Sequence, residues 1–236
     1  MDSFGKNFRV SVFGESHGPV VGVLIDGVPA GIKLSEEDFA ESIKRRSAHY
    51  GFTSTRCERD IPEFLSGVYN AYTTGTSLCI VFRNENVQSH DYLFLPDIPR
   101  PGHADYPAHV KYSGYEDYRG GGHFSGRLTL PIVAAGVVAH KLLPSPITIR
   151  AEISRVGGSQ NREDWPELLA QAQKAGDSLG GVISCIISGV PVGVGDPFWN
   201  GIESVLSHAL FAIPGVRGVE FGDGFASSDM RGSQHN

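Results

Sequence analysis

A ten-residue pattern that occurs twice constrains the fold of this sequence more than any other feature. VLIDGVPAGI, at positions 23 to 32, and CIISGVPVGV, at positions 185 to 194, each join an apolar run to Gly-Val-Pro, one residue, a glycine and an aliphatic residue. Each copy precedes a segment that is typical of a helix. Two strand-turn-helix units in one chain predict a pseudo-symmetric mixed α/β architecture in which helices pack against sheet. A chance match between two glycine-proline turns is the other interpretation.

Strand and helix patterns alternate along the chain without a visible domain boundary. Apolar, β-branched runs predict strands at 20–28, 77–84, 146–157 and 181–190. A capping box formed by Ser35 and Asp38 predicts a helix that ends near Arg46 with a basic last turn. Further helices are predicted at 126–143, 163–175 and 196–212, and GVRGVEFG near the C-terminal end of the sequence predicts one more strand.

Length, charge and cysteine content exclude several classes of protein. A chain of 236 residues can bury a core without disulfide bonds. Its net charge of −6 argues against general attraction to nucleic acid or to an anionic membrane. No stretch has the length and apolarity of a membrane span, so a soluble, cytoplasmic protein is predicted. The three cysteines lack Cys-x-x-Cys spacing and predict reduced thiols.

The segment FGESHG, positions 13 to 18, follows the apolar run RVSVF and places His17 at a strand end. Such a junction is expected to expose its side chains, and a histidine there can act as an acid near neutral pH. A turn whose polar side chains only satisfy local backbone groups is equally compatible with the residues. A serine hydrolase is not favoured, because Ser16 and His17 would point to opposite faces and Gly-x-Ser-x-Gly is absent.

The loop RPGHADYPAHVKY, positions 100 to 112, contributes a second group of polar side chains. Arg100 would supply a fixed positive charge beside His103, which suits an acid-base role. Pro101 and Pro107 oppose a helix, and the histidine spacing of helical zinc sites is missing, so no metal site is predicted. An ordinary surface loop is the other interpretation.

The run DYRGGGHFSGR, residues 117 to 127, joins three successive glycines to a helix start near Ser125. Glycine lets the backbone approach a ligand closely, and the start of a helix favours an anion. Arg119 and Arg127 add positive charge. Because the run matches neither Gly-x-Gly-x-x-Gly nor a P-loop, a Rossmann or P-loop protein is disfavoured.

Eight ordered segments together resemble the chorismate synthase family along essentially the whole chain. They are FGESHG, DGVPAGI, TTGTSL, RPGHADY, DYRGGG, DSLGG, SGVPVGVGDP and IPGVRGVEFGDGF. The resemblance implies an α+β fold, a β-α-β sandwich with internal pseudo-symmetry and helices packed between antiparallel sheets. It also implies one domain over residues 1–236, which lacks the C-terminal portion of the family, and assembly as a homotetramer.

The family carries out the last step of the shikimate pathway, in aromatic amino acid biosynthesis. By resemblance, the chain is a carbon-oxygen lyase that eliminates phosphate in a 1,4-anti sense from 5-enolpyruvylshikimate 3-phosphate and forms chorismate. The reaction needs reduced FMN, with NADPH or an external reductase as the electron source. It calls for cations around the departing phosphate, a proton donor and an electron-rich flavin. A non-catalytic module of the same fold, which binds phosphate or substrate, is the alternative.

The resemblance also implies roles for individual side chains. His17 matches the histidine that protonates the departing phosphate, and His103 matches the one that protonates reduced flavin. The implied cationic pocket for the substrate or for NADPH consists of Arg45, Arg46, Arg100 and Arg127.

The implied flavin contacts follow the glycine run and recur near the end of the chain. The family's tripeptide after the glycines usually reads Arg-Ser-Ser, whereas this chain has His123, Phe124 and Ser125. Pro214 and Gly215 match a further flavin contact.

Overall fold

The structure is a computed structural model that describes residues 2–47 and 58–235. Within these residues the strands are β1 Ser3–Phe4, β2 Arg9–Gly14, β3 Val20–Asp26, β4 Glu63–Ser66, β5 Val68–Tyr69, β6 Tyr72–Thr73, β7 Leu78–Arg83, β8 Thr148–Val156 and β9 Gly181–Ser188. The α-helices are α1 Ala40–Arg46, α2 Asp105–Lys111, α3 Thr129–Leu142, α4 Trp165–Lys174, α5 Ile202–Phe211 and α6 Gly232–His235.

The main sheet is antiparallel and has the strand order β1-β2-β3-β7-β4 within the described residues. Alternation along β3 directs Val21, Val23 and Ile25 to one face, where all three are fully buried. The neighbouring β7 contributes Ile80 and Phe82 to the same core. Burying each of these side chains contributes about 1.5–3 kcal/mol, so this sheet face is the main source of stability.

Helices α3 and α1 cover the buried face of the sheet. Leu130, Ala134 and Val138, spaced four residues apart, form the stripe of α3 that enters the core. The Lys141 ammonium ties the end of α3 to the Asp38 carboxylate at 2.7 Å, just ahead of α1. Asp38 also accepts a hydrogen bond from the Ser35 backbone N–H at 2.9 Å, which confirms the capping contact expected before this helix. No described helix is both long and apolar enough to cross a membrane.

A second antiparallel sheet consists of β8 and β9. Its register sets Ile149 opposite Ile187 and Ile153 opposite Ile183 on one face. All four side chains are exposed. The Arg45 guanidinium, at the end of α1, donates to Ala151 O of β8 at 3.2 Å. Helices and antiparallel sheets thus confirm the predicted α+β class.

Both copies of the repeated pattern adopt the same strand-turn conformation. Gly27 and Gly189, directly after β3 and β9, have φ angles of +84° and +74°. Gly31 and Gly193, four residues later, have φ angles of +86° and +89°. Since L-residues with a side chain rarely adopt such angles, the pattern reflects one turn geometry used twice. The surroundings differ, because β3 is central in its sheet whereas β9 is exposed.

Two local predictions are wrong. Pro107 was expected to oppose a helix, yet it lies in the first turn of α2, where the missing N–H has no intrahelical partner to lose. The segment GVRGVEFG forms no strand in the described part of the chain. Its apolar residues therefore do not pair with a neighbouring strand in this part of the chain.

Candidate functional site

The glycine run forms a tight loop against the turn that carries His17. Gly120 and Gly122 have φ angles of +61° and +54°. Gly122 O accepts a hydrogen bond from the Ser16 N–H at 3.0 Å. A Cβ atom on Gly120 would lie 2.5 Å from His17 Nε2, and one on Gly122 would lie 1.8 Å from Asp117 O. Glycine is therefore required at both positions by conformation and by space, and the run is a close-packed wall.

His17 lies between this wall and a short 3-10 helix, Ser89–Tyr92. Its Nδ1 atom is 3.0 Å from Ser89 Oγ. The Tyr92 ring meets the imidazole edge to face, with ring centroids 5.2 Å apart. The expected exposure of His17 at the strand end is wrong: only 8% of the residue is exposed, because the glycine loop folds over it. The imidazole is held in one orientation, with Nε2 towards Gly120.

Arg100 lies at the edge of the same loop. Its guanidinium makes two hydrogen bonds of 2.9 Å to the Asp105 carboxylate, and it stacks over the Tyr92 ring at 5.7 Å. The hydrogen bonds from Arg100 hold the pKa of Asp105 below its usual value. A Cβ on Gly121 would lie 3.4 Å from Arg100 Nη2. The loop therefore brings Arg100 and His17 into one site, joined through Tyr92.

A shallow cleft opens beside the glycine loop. It is lined by Ala104, Asp105, Ala108, Glu116, Asp117, Tyr118, Gly121 and Phe124. Two hydrogen bonds from Arg119 lower the pKa of Asp117, so this carboxylate is a stable anion. Among the described residues, the buried Glu116 Oε2 has no hydrogen-bond partner. The cleft is small, with room for about one water molecule, and the half-exposed Phe124 ring borders it.

Arg127 and Arg46 converge on one buried carboxylate, Asp60. Arg127 is 6% exposed and pairs closely with Asp60, while its Nε donates to Asn84 Oδ1 at 3.0 Å. Arg46 reaches Asp60 at 3.5 Å and Thr129 Oγ1 at 3.0 Å. Arg127 was expected to face a cationic pocket, but its charge lies in the interior, where burial requires a counter-charge.

Three of the remaining predicted residues lie around the glycine loop. The His123 Nδ1 atom is 2.8 Å from Gly14 O, and its Nε2 is 3.5 Å from the Asp2 carboxylate. Ser125 Oγ accepts a hydrogen bond from the Arg127 N–H at 3.3 Å and caps the turn ahead of α3. His103 is exposed just before α2, beside Asp105.

Arg45, Pro214 and Gly215 lie elsewhere. Arg45 is exposed and directed at β8, as described above. Pro214 and Gly215 form an exposed turn after α5, closed by the hydrogen bond from Val216 N–H to Ile213 O at 3.2 Å. The roles implied for these three residues stay predictions.

Four residues that contact the predicted site residues were not identified from the sequence: Asp60, Asn84, Ser89 and Tyr92. Asn84 directly follows β7, and Asp60 lies shortly before β4. A polar residue next to an apolar strand was the same signal that singled out His17. Asn84 was placed inside the predicted strand 77–84, so this signal did not find it, whereas the structure ends the strand at Arg83. Nothing local distinguishes Ser89 or Tyr92 from ordinary loop residues.

Replacing Gly120 by alanine should destabilise the protein in two ways. A side chain at a φ of +61° costs about 1–3 kcal/mol, and the clash at 2.5 Å should displace the His17 ring. Urea denaturation measures the first effect, and the NMR signals of the His17 imidazole report the second. Gly31→Ala is the matched control, because Gly31 has a φ of +86° and no atom within 4 Å of its added Cβ. Equal losses and unmoved His17 signals in both variants would contradict a close-packed wall.

Comparisons with known proteins show the family and the fold to which this chain is similar. Residues 8–236 match the family model described as chorismate synthase. A chorismate synthase of Chitinophaga pinensis is 52% identical over 236 residues, which cover all of this chain and 70% of that protein. One from Thermococcus kodakarensis is 45% identical and matches 98% of this chain and 71% of its own length. A crystal structure of chorismate synthase superposes with a TM-score of 0.77 at 26% identity, over 97% of this chain and 72% of the other.

Proposed function

Because the chain belongs to the chorismate synthase family, we propose that the glycine loop and His17 form the site where 5-enolpyruvylshikimate 3-phosphate loses phosphate and becomes chorismate. The family consists of lyases of aromatic amino acid biosynthesis that act on a small-molecule substrate and require reduced flavin. The matches over nearly the full chain do not favour the alternative of a non-catalytic module.

The observation that carries the proposal is the orientation of His17 beneath the glycine loop. Ser89 holds Nδ1 at 3.0 Å and the Tyr92 ring packs on the imidazole, so the ring is oriented beside the glycine loop and is the proposed proton donor. In the proposed step, the carbon-oxygen bond breaks and an oxygen of the departing phosphate takes up the proton. The substrate ring loses a proton to a base at the other end of the allylic system, and the electron pair of that C–H bond forms the new double bond. A fixed imidazole avoids reorganisation during the proton transfer to phosphate, which is how a positioned acid accelerates a reaction.

Arg100 and Arg46 are the proposed cations for the phosphate. The Arg100 side chain is 28% exposed at the loop edge, and the Arg46 side chain is 21% exposed above Asp60. Both guanidinium groups are oriented by a carboxylate, so they present a fixed geometry to an anion. Arg127 is buried and pairs with the same Asp60, so its proposed contribution is to hold that carboxylate in place for Arg46.

The surface beside the glycine loop is the proposed flavin site, and FMN is the proposed flavin. Phe124, which is 43% exposed there, would contact the apolar edge of the ring system. When bound, a reduced flavin supplies electron density to the substrate ring. The exposed His103, which directly precedes Ala104 in the chain, is the residue proposed for acid-base chemistry near the flavin. NADPH or an external reductase is the proposed source of electrons.

The test is chorismate formation by the 236-residue chain with 5-enolpyruvylshikimate 3-phosphate and photoreduced FMN under anaerobic conditions. We expect chorismate only when the flavin is reduced, and FMN uptake that weakens in Phe124→Ala. A matched control is Phe198→Ala, since Phe198 is 83% exposed in another part of the chain. Flavin binding without turnover would favour the non-catalytic module. The homotetramer and the single domain stay predictions, for which sedimentation equilibrium and limited proteolysis are the direct measurements.

A further inference from the structure

We propose that Asn84 is a positioning residue that sets the orientation of His17. It acts on the backbone of the turn, residues 15–18, that carries His17 and Ser16. The inference rests on the proposed function of His17 as the proton donor.

The Asn84 side-chain amide forms hydrogen bonds to both ends of this turn, a pair of contacts that we call the bracket. Its Nδ2 atom donates to Glu15 O at 3.0 Å and to Gly18 O at 2.8 Å. These two carbonyls lie on either side of Ser16 and His17. The Gly18 N–H closes the turn on Glu15 O at 3.1 Å, and the Asn84 N–H donates to Pro19 O at 3.1 Å. One residue thus fixes both ends of the turn and the start of β3.

The other end of the amide is anchored in the interior. Asn84 Oδ1 accepts from Arg127 Nε at 3.0 Å, and Arg127 in turn pairs with the buried Asp60. A guanidinium only donates and a carbonyl only accepts, so the amide satisfies both neighbours in one orientation only. An aspartate could still accept from Arg127, but it could not donate to the two carbonyls. The site therefore needs an amide of this length.

The position of His17 depends on its turn as well as on contacts to the ring, and Asn84 holds this turn together with the hydrogen bond from the Ser16 N–H to Gly122 O. Ser89 and Tyr92 contact the imidazole itself. The backbone of the turn sets the position and the direction of the His17 Cα–Cβ bond. A displacement of about 1 Å in a reacting group can cost about 100-fold in rate. Loss of the bracket should therefore affect the chemical step more than substrate binding.

The decisive variant is Asn84→Asp, which changes one NH₂ group to oxygen. We expect kcat for chorismate formation to fall about 10- to 100-fold, with KM changed less than about twofold. Asn84→Ser keeps a single donor, so its kcat should lie between those of the unsubstituted protein and Asn84→Asp. It also keeps the test possible if Asn84→Asp misfolds. Asn70→Asp is the control, since Asn70 lies exposed in the β5–β6 hairpin and aspartate also tolerates its φ of +49°.

Two further readouts separate positioning from general damage. In a His17→Ala background, Asn84→Asp should cause no further loss of kcat, because its effect passes through His17. Amide hydrogen exchange at Ser16 and Gly18 should accelerate in Asn84→Asp and stay slow in Asn70→Asp. This measurement needs no turnover, so it tests the bracket even if the chain forms no chorismate. Additive losses of kcat, or unchanged exchange at Ser16 and Gly18, would overturn the inference.

Discussion

Replacing His17 by alanine should lower kcat for chorismate formation by about 10²- to 10⁴-fold, the range that follows from loss of a positioned acid. The reason is geometric: the imidazole is 8% exposed, held by Ser89 at 3.0 Å, and lies directly against Gly120. KM should change little, because the ring is proposed to act on the departing group. Steady-state kinetics with reduced FMN measure both constants.

The control for this variant is His140→Ala. His140 is an exposed histidine in the last turn of α3, far in sequence from the glycine loop. Its loss should leave kcat within about twofold, as for a surface substitution without a specific contact. An active His17→Ala enzyme, or equal losses in both variants, would remove His17 from the proposed step and leave the glycine loop without its chemical role.

Replacing Asp60 by alanine should lower the free energy of unfolding by about 3–5 kcal/mol, as expected when one partner of a buried ion pair is removed. The side chains of Asp60 and Arg127 are 4% and 5% exposed, and Arg46 converges on the same carboxylate. Asp60 also has a φ of +50°, which alanine tolerates less well than aspartate. Urea denaturation gives the change directly.

Glu63→Ala is the matched control for Asp60→Ala. Glu63 forms a comparable pair with Arg83, at 2.9 Å, but both side chains are exposed on the surface of the sheet. Solvent screens such a pair, so its loss should change the stability far less. Asp60→Asn keeps the shape of the side chain and the left-handed φ. Its loss of unfolding free energy should lie between the losses in Asp60→Ala and Glu63→Ala. Similar losses for Asp60→Ala and Glu63→Ala would show that Arg127 finds another partner.

Much of the fold follows from local pattern. The strands at β3, β7, β8 and β9 and the helices α1, α3, α4 and α5 lie within the predicted ranges, because alternation and helical spacing report which residues are buried. The exceptions also have local reasons. Pro107 lies in the first turn of α2 and does not prevent the helix. The segment GVRGVEFG has residues typical of a strand but no partner strand among the described residues.

The candidate site was predicted in part. His17, Arg100 and the glycine run stood out, because unusual residue types cluster in short segments there. The burial of Arg127 was missed. An arginine looks like a surface cation unless its counter-charge is known, and Asp60 lies 67 residues away in the sequence.

The sequence by itself determined the strand and helix pattern and the repeated turn, because backbone conformation and periodicity are properties of neighbouring residues. Only the tertiary structure decided that Ser89, 72 residues from His17, holds its ring, and that Asn84 brackets its turn. Such contacts depend on strand register and side-chain direction across the sheet. Local sequence does not specify them, since residues far apart in the chain meet only once the core has formed.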